Sequence, residues 1–89
     1  MNTEEKLKKY IMAELMFEQD EASSSLLYDE PLLERGIIDS LGFIQLIEFI
    51  EEEFNIKIKD EELIPENFKT INIIAHLIKN KQLALSSHV

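Results

Sequence analysis

The sequence contains no cysteine among its 89 residues. This absence excludes disulfide bonds, metal sites built on thiolates and a cysteine nucleophile, and it is typical of proteins from a reducing compartment. No apolar run is long enough to cross a bilayer, and the charged N-terminal stretch MNTEEKLKK lacks the apolar segment of a signal peptide. We therefore expect a cytoplasmic protein that does not insert into a membrane.

Basic residues are also scarce, with nine Lys and Arg against 18 Asp and Glu, so the formal charge is −9. A negative field of this size repels phosphate backbones, so it disfavours nucleic-acid binding and favours partners with basic patches. The acidic residues between positions 60 and 66 do not follow the spacing of an EF-hand loop, so no metal site is expected. Apolar residues make up 45% of the chain, which is the profile of one small globular domain.

The spacing of the apolar residues predicts an all-α fold with three longer helices. The first covers residues 3–17, with Thr3 as its N-cap. The clearest helix runs from Ser40 to Phe54, and the last runs from Thr70 to about Lys81. No segment shows a convincing strand pattern.

Two connections complete the predicted domain. A long loop ends at Gly36, and its leucines indicate that it packs on the core. A short helix capped by Asp60 is expected to end before Pro65. We assign residues 1–82 to the helical domain and residues 83–89 to a frayed C-terminal tail.

The helix from Ser40 to Phe54 has two faces of different chemistry. One face is apolar and is expected to pack inward; it carries Phe43, Leu46, Ile47, Ile50 and Phe54. The opposite face carries Leu41, Gln45, Glu48 and Glu52, with Ile44 at the border. The outer face therefore begins with exposed apolar residues next to Ser40 and becomes acidic further along the helix.

A catalytic role for Ser40 is the first interpretation to test. A serine nucleophile needs a base and oxyanion donors, and the only histidines are His76, expected to be half-buried on the last helix, and His88 in the tail. No Gly-x-Ser-x-Gly turn surrounds Ser40. The sequence therefore predicts no catalytic residue and no enzyme.

Two other interpretations of Ser40 stay open at this point. Asp and Ser are both favoured N-caps, so Asp39 or Ser40 can satisfy free backbone amides at the helix start. A serine in the first turn can also anchor a phosphate ester, because a helix N-terminus presents free N–H groups and the positive end of its dipole. Gly42 is expected to leave room beside Ser40 for such a group and for an approaching enzyme.

The stretch GIIDSLG, residues 36–42, followed by FIQLIEFIEEEFNIKI, resembles the acyl carrier protein family. The resemblance extends from about Glu5 to Lys81. In that family the serine of an Asp-Ser-Leu motif receives 4′-phosphopantetheine from coenzyme A. The resemblance implies a four-helix bundle with a long first loop and a short third helix. It also implies that Ser40 is the attachment residue and that Asp39 belongs to the attachment motif.

The resemblance further implies that partner enzymes dock on the helix that begins at Ser40. The expected docking residues are Leu41, Ile44, Gln45, Glu48, Glu51 and Glu52. The expected partners are a phosphopantetheinyl transferase with coenzyme A, a ligase or transferase that loads an acyl or aminoacyl group, and downstream synthase enzymes. A monomer that holds its cargo as a thioester is expected.

Two positions depart from many fatty-acid carriers, which have acidic residues where this chain has Gly42 and Gln45. The Asp-Ser-Leu-Gly form is more similar to free-standing carriers of specialised pathways, such as polyketide-type, aminoacyl or D-alanyl carriers. The alternative from another class is an unmodified acidic helical module that binds a basic partner, in which Ser40 only caps a helix.

Overall fold

Helices account for most of the residues that the computed structural model describes, which are 2–15 and 26–86. Helix α1 comprises Thr3–Tyr10 and continues as a π-helical turn over Ile11–Leu15. Helix α2 comprises Ser40–Phe54, and α3 comprises Ile71–Ser86. No strand occurs in the described ranges, so the all-α prediction is confirmed. No helix there is long and apolar enough to cross a membrane.

Asn2, and not Thr3, caps α1. The Asn2 Oδ1 atom accepts a hydrogen bond from the Glu5 backbone N–H at 2.7 Å, and the Glu5 carboxylate accepts one from the Asn2 N–H at 3.4 Å. This reciprocal pair is a capping box, which satisfies two backbone donors at once. Thr3 is the first helical residue, so its predicted role as N-cap is wrong. Residues 16 and 17 of the predicted first helix lie outside the described residues.

The predicted bounds of α2 are confirmed at both ends. Its inner face is completed by Gly42, which is buried with Leu46, Ile50 and Phe54. A Cβ atom added to Gly42 would lie 3.3 Å from Asp39 Oδ1 and 3.9 Å from Leu15 Cδ2. The expectation that Gly42 opens space beside Ser40 is therefore wrong, because this buried glycine faces inward and a side chain there would crowd the Asp39 carboxylate.

The segment between α2 and α3 forms two 3₁₀ turns, Asp60–Glu62 and Pro65–Phe68, in place of one short helix. Asp60 is the first residue of its turn and not a cap, and Pro65 begins the second turn. The Glu62 carboxylate holds the first turn, because it accepts the Lys59 backbone N–H at 2.8 Å and pairs with Lys81 at 2.7 Å. The hydrogen bond from Lys81 lowers the pKa of Glu62.

Helix α3 begins after Thr70, whose hydroxyl oxygen accepts the Ile73 backbone N–H at 3.1 Å. Its inner face contains Ile71, Ile74, Ala75 and Ile78, all of them buried. The helix ends at Ser86, so the predicted end at Lys81 came too early. His76 is exposed, so its predicted half-buried position is wrong. The assignment of residues 1–82 and 83–89 as domain and tail stays a prediction.

The loop before α2 packs only partly on the core. Leu26, Leu32 and Ile38 are buried, whereas the neighbouring Leu27 and Leu33 are exposed. The Leu32 backbone N–H donates to the Lys69 carbonyl at 2.9 Å, which ties the loop to the segment before α3. The loop turns at Gly36, whose φ of +68° is a conformation that glycine adopts without a steric cost.

Pair contacts show that α1 runs antiparallel to both of the other helices. Lys6 pairs with Glu53 at 3.5 Å, near the end of α2, whereas Leu15 lies beside Gly42 at its start. On the other side, Lys79 of α3 pairs with Glu4 at 2.8 Å. Ser40 and the start of α3 therefore lie at the same end of the bundle. Nine large side chains fill the space between the elements: Leu7, Ile11, Leu32, Leu46, Ile50, Phe68, Ile71, Ile74 and Ile78.

Candidate functional site

Ser40 is the first residue of α2, and Asp39 is its N-cap. The backbone of Asp39 is extended, and its Oδ1 atom accepts a hydrogen bond from the Gly42 N–H at 2.7 Å. Ser40 is exposed, and its hydroxyl has no hydrogen-bond partner across residues 2–15 and 26–86. The structure therefore gives the capping role to Asp39 and leaves the Ser40 hydroxyl available for chemistry.

The electrostatic environment of Ser40 suits a phosphate ester. Helix α2 has 15 residues, and its N-terminus presents unpaired backbone N–H groups and the positive end of the helix dipole. The first turn of α2 contains no acidic residue, and the carboxylate of the adjacent Asp39 accepts the Gly42 N–H. An exposed, unpartnered hydroxyl in this position fits a phosphodiester-linked group.

The hydrogen bond between the Asp39 side chain and the Gly42 N–H is expected to contribute measurably to the free energy of unfolding. Asp39→Ala removes the acceptor of the Gly42 N–H, so we expect it to lower the free energy of unfolding by about 1 kcal/mol. Asp39→Asn keeps a side-chain oxygen at the same place and should retain most of that stability. Urea unfolding followed by circular dichroism compares the two variants with the wild type. Equal losses in both would show that the carboxylate charge, and not the cap hydrogen bond, stabilises the helix start.

The predicted docking face of α2 is mostly exposed. The apolar pair next to Ser40 reaches far into solvent, with Leu41 64% exposed and Ile44 55% exposed. Gln45, Glu48 and Glu52 are exposed on the same helix. Together they form a surface that starts apolar and becomes acidic, as the sequence pattern indicated.

Glu51 differs from the other predicted docking residues. It is only partly exposed, and its carboxylate accepts the Ile58 backbone N–H at 2.9 Å. This bond ties the last turn of α2 to the extended segment that follows. Glu51 therefore has a structural partner within the chain, and its predicted docking role stays a prediction.

A groove between α1 and α2 was not predicted from the sequence. The rings of Tyr10 and Phe49 stack in it with centroids 4.0 Å apart and planes at 10°, and the Tyr10 hydroxyl donates to the Gln45 carbonyl at 3.3 Å. Burial raises the pKa of Tyr10, and the charges of Glu14, Glu48 and Glu52 raise it further. The apolar spacing of α1 did not indicate that Glu14 lies opposite α2.

The residues that the structure describes contain no candidate metal site. Among residues 2–15 and 26–86, no group of three or more His, Asp or Glu side chains is placed to hold a metal ion. His76 lies on α3 between buried Ala75 and partly buried Leu77, with its own side chain exposed. Ser40 thus presents an exposed hydroxyl at a helix end.

Comparison with known families shows which family this chain belongs to. Residues 5–78 match the family described as "Phosphopantetheine attachment site". The chain belongs to this family of phosphopantetheine-bearing carriers. The match includes most of α1, all of α2, both 3₁₀ turns and the first half of α3.

Similar proteins are named as carriers. The acyl carrier protein of Buchnera aphidicola subsp. Baizongia pistaciae is 42% identical over 79 residues, which is 88% of this chain and 92% of that protein. The D-alanyl carrier protein of Streptococcus equi subsp. zooepidemicus is 43% identical over 56 residues, which is 63% of this chain and 71% of that protein.

A solved structure shares the fold. It has a TM-score of 0.70 and 32% identity, and the alignment covers 81% of this chain and 97% of that chain. Its title is "Crystal structure of FAD-dependent dehydrogenase". Nearly all of the matched chain aligns with this chain of 89 residues, so the two chains are similar in length.

Family membership settles the class of this carrier. Its cofactor is covalently attached 4′-phosphopantetheine, and it is a carrier and not an enzyme. Carriers of this kind work with biosynthetic enzymes. The alternative of an unmodified interaction module has no support from these comparisons.

Proposed function

We propose that Ser40 is the attachment residue of the phosphopantetheine group. The observation that carries this proposal is the exposed Ser40 hydroxyl, which has no hydrogen-bond partner in the described residues and lies at the N-terminus of α2. The N-cap of this helix is Asp39, so Ser40 is not needed for capping. A phosphodiester on this oxygen would lie at the positive end of the helix dipole. Asp39 fixes the helix start and thereby positions Ser40.

The attached group supplies a thiol on a flexible arm, which holds cargo as a thioester. The chain contributes the anchor at Ser40 and the outward face of α2, where an enzyme binds before it acts on the cargo. Leu41 and Ile44 offer that enzyme apolar contact, and Glu48 and Glu52 attract basic residues. Attachment raises the concentration of the cargo at whichever enzyme docks.

The cargo is an acyl or aminoacyl group of a specialised pathway. Gly42 and Gln45 stand where many fatty-acid carriers are acidic, and several D-alanyl carrier proteins are among the relatives. The partners are a phosphopantetheinyl transferase with coenzyme A, a ligase or transferase that loads the thiol, and downstream synthases. The carrier acts in the cytoplasm as a monomer.

The mass of the intact protein tests attachment at Ser40. After incubation with coenzyme A and a broad-specificity phosphopantetheinyl transferase, the wild type should gain one phosphopantetheine group. Ser40→Ala should gain none. Its unfolding midpoint should match the wild type, because Ser40 makes no side-chain hydrogen bond in the described residues and the cap is Asp39. A full mass gain in Ser40→Ala would place the attachment elsewhere.

A further inference from the structure

The first turn of α2 meets two other parts of the chain at one buried residue, Gly42. This glycine has no side chain, and three atoms surround the place where its Cβ would lie. They are Asp39 Oδ1 at 3.3 Å, Ile38 Cβ at 3.5 Å and Leu15 Cδ2 at 3.9 Å. The first two belong to the segment that leads into α2, whereas the third comes from the end of the first helical segment.

Leu15 bounds this space from the side of α1. It is the last residue of the π-helical turn Ile11–Leu15 that continues α1, and it is only 6% exposed. Single π-helical turns at the end of or within α-helices are frequent at functional sites. Here the turn holds a leucine methyl group beside the first turn of the helix that carries Ser40.

The Leu15 side chain also lies beside the hydrogen bond that caps α2. The Gly42 N–H donates to Asp39 Oδ1 at 2.7 Å, and this bond is partly buried. Because Leu15 Cδ2 and Asp39 Oδ1 border the same space at Gly42, the leucine keeps water away from one side of the bond. A hydrogen bond shielded from water is electrostatically stronger than an exposed one. The geometry of the cap therefore depends on Leu15.

We propose that Leu15 is a positioning residue for the modification of Ser40, acting through Gly42 and the Asp39 cap. This inference rests on the proposed function. The site residues predicted from the sequence all lie in α2 or directly before it, so a residue from the end of the first helical segment is a new assignment. Leu15 is buried, so its role is to hold the helix start and not to contact the enzyme.

The chemistry of loading requires a well-placed serine oxygen. The Ser40 oxygen forms a bond to the phosphorus that carries pantetheine, the pyrophosphate bond of coenzyme A breaks, adenosine 3′,5′-bisphosphate leaves, and the serine proton passes to a base of the enzyme. A displacement of about 1 Å in such a reaction can cost as much as about 100-fold in rate. Ser40 is exposed and its hydroxyl makes no hydrogen bond within the described residues, so the backbone of the first turn sets its position.

Leu15→Val tests the proposal, with Leu7→Val as the matched control. Both leucines are buried, and each change removes one methylene group from the core. Leu7 follows Lys6, which pairs with Glu53 near the far end of α2, so the control lies remote from Ser40. The assay follows the gain of mass with time, using coenzyme A and the transferase over a range of carrier concentrations, which separates kcat from KM. Each rate is divided by the folded fraction found by circular dichroism.

We expect Leu15→Val to lower kcat by about fivefold and to leave KM within about twofold, because the exposed face of α2 is unchanged. Leu7→Val should keep both constants within about twofold of the wild type, although it lowers the urea midpoint by a similar amount. Leu15→Met refills the space with a flexible side chain of similar size, so it should restore the wild-type kcat.

Hydrogen exchange at the Gly42 N–H gives a second measurement that does not depend on the transferase. This amide should exchange at least about tenfold faster in Leu15→Val than in Leu7→Val, because only the first change opens the cap locally. The comparison is made between variants of similar stability, so global unfolding contributes equally to both rates.

The possible failures are distinguishable. Equal kcat values in Leu15→Val and Leu7→Val would overturn the positioning role, whatever the exchange rates, and would leave attachment at Ser40 intact. A loss of kcat in Leu15→Met as large as that in Leu15→Val would also overturn it, because the space would then be filled without effect. No mass gain in the folded wild type would overturn attachment at Ser40 itself, and the positioning role with it.

Discussion

Phe68→Ala is expected to lower the free energy of unfolding by about 3–5 kcal/mol, the range for truncating a buried aromatic side chain. Phe68 is fully buried, and its ring packs edge-to-face against Phe43 with centroids 5.2 Å apart. The ring pair thus joins the second 3₁₀ turn to the first turn of α2. Because small domains are stable by only about 5–15 kcal/mol, this loss should be visible as a large shift of the urea midpoint.

Ile64→Ala is the control for Phe68→Ala. Ile64 lies four residues earlier in the same segment but is 44% exposed, so its truncation should cost less than about 1 kcal/mol. Both variants are measured by urea unfolding followed by circular dichroism. A similar small loss in both would mean that the second 3₁₀ turn does not pack on α2 as described.

Ile44→Arg is expected to reduce the kcat/KM of loading by at least about tenfold, or ~1.4 kcal/mol of transition-state stabilisation. Ile44 is 55% exposed one turn after Ser40, so the change replaces an apolar contact with a positive charge that repels a basic partner. The fold should be unchanged, because the side chain does not belong to the core. Rates come from the time course of mass gain.

Leu83→Arg is the matched control for Ile44→Arg. Leu83 is 66% exposed and lies near the end of α3, remote from Ser40. Its replacement by Arg introduces the same charge as Ile44→Arg. Its loading rate should stay within about twofold of the wild type. Equal losses in the two variants would mean that net charge, and not a local contact on α2, controls recognition.

Helix α2 was predictable because its local and tertiary signals agree. Asp39 is a favoured N-cap, the apolar residues recur at helical spacing, and Asn55, directly after the helix, adopts the left-handed conformation that asparagine tolerates. The inner stripe of α3 was predictable for the same reason. In both helices the apolar residues that recur at helical spacing lie on the face that packs against the core.

The remaining elements were harder because their signals are short or tertiary. The Asn2–Glu5 capping box was readable in the sequence, since Asn is a strong cap and Glu follows three residues later. The paired 3₁₀ turns depend on Glu62 meeting Lys81, which is a tertiary contact. The last turn of α3 has no apolar period, so its helical state did not appear in the pattern.

Some residues of the candidate site were likewise predictable from the sequence, and others were not. Ser40, Asp39 and the exposed face of α2 were predictable because they lie in one continuous motif. The burial of Gly42 and the partner of Glu51 were not, since each depends on a residue from another segment. The groove with Glu14 depends on how α1 is placed against α2, which periodicity alone does not specify.

The antiparallel placement of α1 has a practical consequence for handling the protein. Because α2 and α3 start at the same end of the bundle, Ser86 at the end of α3 lies at the end away from Ser40. A sensor surface or affinity matrix coupled through that helix end would leave the attachment serine facing free solution. Labels at Asn2 would also lie at the far end, since α1 begins beside the last turns of α2 and α3.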